Sequence, residues 1–237
     1  DSNGRVVIGH TQASTNYGKL LHIHNSASAG ASLHLTDSTT GTSNSDGFEI
    51  VTHSQAAYLV QRENSHMIFM TDGTNERLRI HSSGRLIIGH TSTYPVAGHY
   101  PVLQLSGANY NGATLGIINN ANDATGAYIQ LSKQRSGSPG GQTIVQNDDI
   151  VGNITFTAAD GTDLTSRIAE IKGMVDGTPG SNDTPGRLSF WTTPDGAQSS
   201  LERLRITSSG EILLPAAGAN RISMRHSGGG AAVIKNP

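Results

Sequence analysis

One short stretch occurs three times in this chain and constrains what the rest can form. Its fullest copy is Glu76-Arg77-Leu78-Arg79-Ile80-His81-Ser82-Ser83-Gly84-Arg85-Leu86-Ile87-Ile88-Gly89-His90-Thr91. It returns as Glu202-Arg203-Leu204-Arg205-Ile206-Thr207-Ser208-Ser209-Gly210-Glu211-Ile212-Leu213-Leu214. Its second half also opens the chain as Asp1-Ser2-Asn3-Gly4-Arg5-Val6-Val7-Ile8-Gly9-His10-Thr11. Self-similarity of this kind marks a fold built from copies of one supersecondary unit. Over residues 76–80 apolar side chains alternate with arginines, so Leu78 and Ile80 share one face of a strand and Arg77 and Arg79 the other. Ser82-Ser83-Gly84 is turn chemistry, with hydroxyls that bond the local backbone and a glycine free to take positive φ. Residues 85–88 then read as a short strand rich in branched side chains. Leu86, Ile87 and Ile88 are apolar in succession, so both faces of that strand need cover, which a neighbouring chain would supply.

Composition sharpens this. The chain has 237 residues, of which 35% are hydrophobic and 14% charged, with 29 glycines. That is too little apolar side chain for a monomer to offset its ordering entropy easily, and burial between chains would relieve the deficit. There is no Cys, which removes disulfides, thiolate chemistry and Cys-based zinc sites. No run of ~18 apolar residues provides a membrane span. A formal net charge of −2 with 5% aromatics argues against nucleic acid, which requires basic stripes or stacking platforms. The chain shows no signal peptide and opens on Asp rather than Met, so it is expected to be a fragment or a processed product.

Short β-rich runs bounded by turn residues fill the remainder, the signature of an all-β fold. Strands are expected near residues 20–24, 32–36, 47–52, 57–62, 66–71 and 76–80. A second series follows at 102–105, 113–119, 127–134, 150–158, 166–175, 187–193 and 202–206. Residues 163–171 also suit a short helix, but their place in the plan favours a strand. The organisation expected is a first β module over residues 1–80, a second over 81–206 with expanded loops, and a C-terminal β cap or further repeat start over 207–237.

The Glu-Arg-Leu-Arg-Ile run, the Ser-Ser-Gly turn and the apolar Gly-His-Thr strand resemble the repeat of bacteriophage tail-fibre and virion-fibre proteins. Asp46-Gly47-Phe48-Glu49-Ile50, Gln61-Arg62-Glu63-Asn64, Ile68-Phe69-Met70-Thr71, Asp160-Gly161-Thr162-Asp163 and Val175-Asp176-Gly177-Thr178-Pro179-Gly180 resemble the same module. The resemblance covers most of residues 1–214. It implies an elongated, intertwined homotrimeric fibre of repeated short-strand modules on the virion surface. The partners implied are other virion proteins and a host cell-surface glycan or protein, with no membrane insertion. Many such fibres carry a self-cleaving C-terminal chaperone, and none is recognisable here.

The resemblance implies no active site, and the expectation is that the chain is not an enzyme. His22 and His24 are the metal candidates: a His-x-His pair in a strand points both side chains one way, and three parallel chains would gather six imidazoles, enough for an octahedral transition metal such as iron. The competing reading is two hydrogen-bonding histidines beside Leu21 and Ile23. No other cofactor is expected. His10 and His90 occupy matching repeat positions, which suits a structural role. Asp148, Asp149, Asp160, Asp163, Asp176 and Asp183 gather in the expanded loops, and a glycosidase would need two of them converging with one pKa raised. Turn formation is the alternative use. Arg77, Arg79, Arg203 and Arg205 lie beside Glu76 and Glu202 and suit salt bridges between strands or chains. Tyr94, Tyr100, Tyr110, Tyr128 and Trp191 are the aromatic candidates for sugar stacking, against the alternative of packing.

Overall fold

Among the described residues every regular element is extended, apart from one 3-10 turn at Tyr110–Ala113 capped by the Asn109 side chain. The protein is all-β. The computed structural model describes residues 6–8, 21–26 and 30–215. The first repeat turn at Gly4, His10 and the cap expected beyond residue 215 lie outside the described residues. The chain forms two compact units, Asp1–Thr93 with Pro101–Thr114 and Tyr94–Tyr100 with Leu115–Pro237.

In the first unit β1 (Val6–Ile8) runs parallel to β2 (Leu21–Ile23). Strands β3 (Ala31–Leu35), β4 (Phe48–His53) and β5 (Ala56–Gln61) form an antiparallel meander. Strands β6 (Met67–Thr71), β7 (Asn75–Ile80) and β8 (Leu86–Ile88) form a second meander, to which β9 (Leu103–Leu105) adds in parallel. In the second unit β10 (Ile150–Ala158), β11 (Ser166–Val175), β12 (Gly186–Thr192), β13 (Leu201–Ile206) and β14 (Ile212–Leu213) form one five-stranded antiparallel sheet. Of residues 163–171, which also suited a helix, 166–171 thus enter a strand and 163–165 lie in the bend before it. Pairing on both edges of β11 outweighs any local helical tendency there.

The repeated stretch builds the same object twice. The Gly84 amide donates to the His81 carbonyl and the His81 amide to Arg85; Gly210, Thr207 and Glu211 do the same. Gly84 and Gly210 have φ of +79° and +83°, the left-handed residue that closes a three-residue hairpin loop. The parallel pairs also correspond. Val7 opposes His22 in β1/β2 as Ile87 opposes Gln104 in β8/β9.

Two expected strands are corrected. Residues 113–119 and 127–134 join no ladder, although Leu115, Ile117, Ile118, Tyr128, Ile129 and Leu131 lie along them, exposed. A strand requires a partner edge, and none is hydrogen-bonded to them among the described residues. Residues 127–134 do approach β10, where Leu131 lies so close to Gly152 that an added Cβ would sit 2.6 Å from its own Cβ. That contact is packing rather than pairing.

The apolar interior is small. Among the described residues only Ile87 and Val175 are fully buried apolar side chains, 0% and 1% exposed. More than thirty large apolar side chains are exposed in the single chain, Leu33, Ile50, Phe69, Ile154 and Phe190 among them.

Candidate functional site

The exposed apolar residues are not scattered. Cross-strand register collects them on one face of each meander. On the β3–β4–β5 sheet Leu33 opposes Ile50 and Ile50 opposes Leu59, with Leu35 and Phe48 in the next row. On the β6–β9 sheet Phe69, Leu78, Ile88 and Leu105 form one row, and Met67, Ile80, Leu86 and Leu103 the next. On the five-stranded sheet Ile154, Ile171, Phe190 and Leu204 run across four strands, with Leu188, Ile206 and Ile212 beside them. Period-two alternation therefore builds apolar faces that the chain itself leaves open, Ile154 being 52% and Leu59 55% exposed. Contiguous apolar surface on this scale marks an interaction surface.

The repeated strands and the five-stranded sheet also carry polar groups that the chain pairs itself. Expected salt bridges between strands or chains are instead formed within a strand. Arg79 donates from Nε and Nη2 to the two Glu76 oxygens at 2.8 and 2.6 Å, and Arg205 does the same to Glu202 at 2.5 and 2.7 Å. Residues three apart in a regular strand point to opposite faces, so these pairs need an extra residue between them. A β-bulge supplies it in each copy, with Leu78 and Glu76 opposing the adjacent Phe69 and Met70, and Leu204 and Glu202 opposing Phe190 and Trp191. The displaced arginines then reach a threonine of the next strand, Arg77 to Thr71 at 2.8 Å and Arg203 to Thr192 at 3.0 Å. The Arg79 guanidinium holds the Glu76 carboxyl below its ordinary range.

The polar cluster of the second unit is centred on Glu170, 3% exposed. It accepts from Asn153 Nδ2 at 2.6 Å, from Ser200 Oγ, and from Lys172 Nζ at 3.2 Å. Lys172 Nζ also lies 3.8 Å from the Trp191 ring centroid, and Trp191 Nε1 donates to Ser189 Oγ at 2.8 Å. Burial pushes the Glu170 carboxyl up, but its bonds from Ser200, Asn153 and Lys172 outweigh that and hold it low. Trp191 is therefore packed rather than offered to a sugar. No motif in the sequence signals this cluster, since its members lie on four separate segments.

His22 lies in β2 and His24 immediately follows it, with ring centroids 6.0 Å apart. They border a cleft with Asn25, Thr52 and His53, the last of which sequence reasoning did not select. Among the described residues no group of three or more His, Cys, Asp or Glu is placed to hold a metal. His22 takes the place that Gln104 holds in the second copy, where Gln104 is buried beside Ile87.

Five of the six candidate loop carboxylates, all but Asp183, are held by hydrogen bonds or ion pairs. Asp149 receives Arg135 at 2.7 Å through each oxygen and Lys133 at 3.0 Å. Asp148 and Asp176 both pair with Arg187, at 2.7 and 3.1 Å. Asp160 accepts the amides of Thr162 and Asp163, and Asp163 accepts from Thr165. The Arg135 guanidinium holds Asp149 far below the carboxylate range, while the backbone amides of Thr162 and Ser208 lower Asp160 and Asp176. Tyr110 and Tyr128 are exposed. Tyr94 and Pro95 line a shallow cleft of about 400 Å³ with Thr162, Asp163 and Leu164.

These features define an all-β protein with open apolar sheet faces. No family model matches the chain, nor does any curated protein. Among solved structures it is similar to the carboxy-terminal domain of the bacteriophage T5 L-shaped tail fibre, at 13% identity over 89% of this chain and 83% of that one, with a TM-score of 0.47. It is also similar to that domain with its intramolecular chaperone domain, at 14% identity and a TM-score of 0.48, over 90% of this chain and 58% of that one. The chain thus spans less than two thirds of the second structure's length. Similarity at this level establishes neither family nor function. No helix among the described residues is long and apolar enough to cross a membrane.

Proposed function

We propose that the chain is a subunit of a homotrimeric phage fibre, a tail fibre or virion appendage, that forms or presents a host-attachment surface. The observation that carries this is the apolar face left open on every meander of the single chain. Faces of this kind are stable only when covered, and further copies of the same chain supply matching faces. Three-fold assembly follows from the sequence resemblance. Intertwining of copies also provides partner edges for residues 113–119 and 127–134, and removes exposed sheet edges that invite aggregation. The partners are two further copies, neighbouring virion proteins and a host-surface glycan or protein, with attachment through the expanded loops of residues 92–200.

Light scattering with chromatography tests the assembly. A mass near three times 24.8 kDa is expected, and a compact monomer overturns the fibre reading. A polysaccharide-degrading tailspike and a purely structural stalk are the alternatives in function. Lowered carboxyl pKa values at Asp149, Asp160 and Asp176 disfavour them as the general acid that a hydrolytic pair requires. Incubation with host capsular polysaccharide separates the three: retention without cleavage is expected, depolymerisation marks a tailspike and no interaction a stalk.

His22 and His24 of three copies would provide the six nitrogens of an octahedral site. Elemental analysis of the purified assembly is expected to find about one metal ion per three chains, lost on His22→Ala. A metal content near zero leaves the pair a structural counterpart of Gln104 and Ser106.

A further inference from the structure

We propose that Lys172 and Asn153 join in an intramolecular isopeptide bond, with Glu170 carrying the protons. This modification goes beyond the fibre reading and stands whatever the subunit number. Register on β10–β11 places Asn153 directly opposite Lys172, so their side chains share a face with Cβ atoms about 5 Å apart. Glu170 lies two residues from Lys172 on that face. One oxygen of Glu170 accepts from Asn153 Nδ2 at 2.6 Å and the other from Lys172 Nζ at 3.2 Å. A single carboxylate thus holds the amine and the amide together. An amide link would run from Asn153 Cγ through Nζ, Cε, Cδ and Cγ of Lys172, a span that closes the gap between the two Cβ atoms without parting the strands.

The surroundings suit the chemistry. Glu170 and Lys172 are 3% and 8% exposed, and Lys172 Nζ lies over the Trp191 ring, 3.8 Å from its centroid. The carboxylate and the amine are thus shielded from water, while Asn153 sits at the solvent edge of the cluster, where the departing ammonia can leave. An aligned amine and acyl carbon on adjacent strands also react as one unit rather than as two solutes.

The steps balance within the cluster. Glu170 takes a proton from the Lys172 ammonium along their hydrogen bond. The freed amine attacks Asn153 Cγ and forms the new C–N bond. Glu170 returns its proton to Nδ2 and the Cγ–Nδ2 bond breaks, releasing ammonia. The nitrogen of the new amide gives its surplus proton to Glu170, which passes it to the departing ammonia. The net change is ammonium plus carboxamide to isopeptide plus ammonium ion, and Glu170 ends as the carboxylate it began as. The competing use of the cluster is a permanent ion pair with Lys172 resting on Trp191, which leaves the Asn153 amide intact.

Intact mass spectrometry of the purified protein, denatured only for the measurement, separates these. The expected mass is lower than the sequence mass by one ammonia, and a tryptic digest yields one branched peptide joining the segments around Asn153 and Lys172. Glu170→Gln keeps a side chain of the same shape and an oxygen that accepts from Asn153, so folding checked by circular dichroism should be retained. Its mass should return to the full sequence value and the branched peptide should vanish. A wild-type mass equal to the sequence mass overturns the proposal. So does a loss of ammonia mapped elsewhere, for instance to a succinimide at Asn111-Gly112. A branched peptide that persists in Glu170→Gln overturns the role of Glu170.

Discussion

Aspartate at Ile154 or Phe190 is expected to prevent assembly, giving a species near the monomer mass or an insoluble one where the parent chain gives an oligomer. Both residues lie in the row Ile154–Ile171–Phe190–Leu204 that crosses the five-stranded sheet. Ile154 is 52% exposed in the single chain. If the sheet faces solvent in the working protein, a polar replacement there costs no more than about 0.5 kcal/mol, as surface substitutions usually do. If the face is buried between copies, each copy must desolvate a carboxylate with no partner, a cost of several kcal/mol per charge. Symmetry multiplies that by the number of copies. Gln198→Glu, in the exposed turn before β13, is the control for added charge alone. The readouts are light-scattering mass and melting temperature at fixed protein concentration, because an oligomer's melting point depends on concentration. An Ile154→Asp protein with parental mass and melting temperature sinks the buried-face reading.

The sequence made the sheets legible because period-two alternation and turn residues are local signals. Strands over residues 150–158 and 166–175 were expected with the boundaries observed. Residues 113–119 and 127–134 carry the same apolar and β-branched composition yet join no ladder. A strand is a property of a pair, and composition reports only half of it. The bulges were illegible for a related reason. Nothing in Glu-Arg-Leu-Arg-Ile says that Arg77 will be the extra residue. Without it the alternation assigns Glu76 and Arg79 to opposite faces, whereas the structure joins them at 2.6 Å.

Much of the candidate site was hidden by the same limit. The three members of the Glu170 cluster that would react sit on two strands, and only the register of β10 on β11 brings Asn153 to Lys172. Loop carboxylates were legible as a group but not as pairs, since Arg187 reaches Asp148 across 39 positions of sequence. His22 and His24 were found by spacing, while His53 enters the same cleft from the β4–β5 hairpin.

Gly89→Ala should be far more damaging than Gly84→Ala, although both glycines belong to the repeat and both have positive φ. Gly84 has φ of +79° and nothing within 4 Å of an added Cβ. Alanine there meets only the left-handed backbone cost, about 1 kcal/mol. Gly89 has φ of +85°, and its Cβ would sit 2.0 Å from the Ser106 carbonyl oxygen. That oxygen belongs to the backbone and is not free to swing aside. The Ser106 amide donates to the Ile88 carbonyl at 3.0 Å, the bond that ends the parallel pairing of β9 on β8. Relief of the clash therefore means parting β9 from β8 and exposing Ile87. Backbone strain and overpacking together suggest a loss of more than about 3 kcal/mol, or a fall in melting temperature of roughly 6–12 °C for a chain of this size. Thermal unfolding of the two variants at one concentration is the measurement, and equal shifts would remove the parallel strand from the account of the repeat. The third copy supplies a natural comparison. Pro215 stands where Gly89 stands in the second, and its ring excludes the positive φ that Gly89 adopts. The third copy therefore keeps the hairpin but not the backbone turn by which β9 is brought alongside β8.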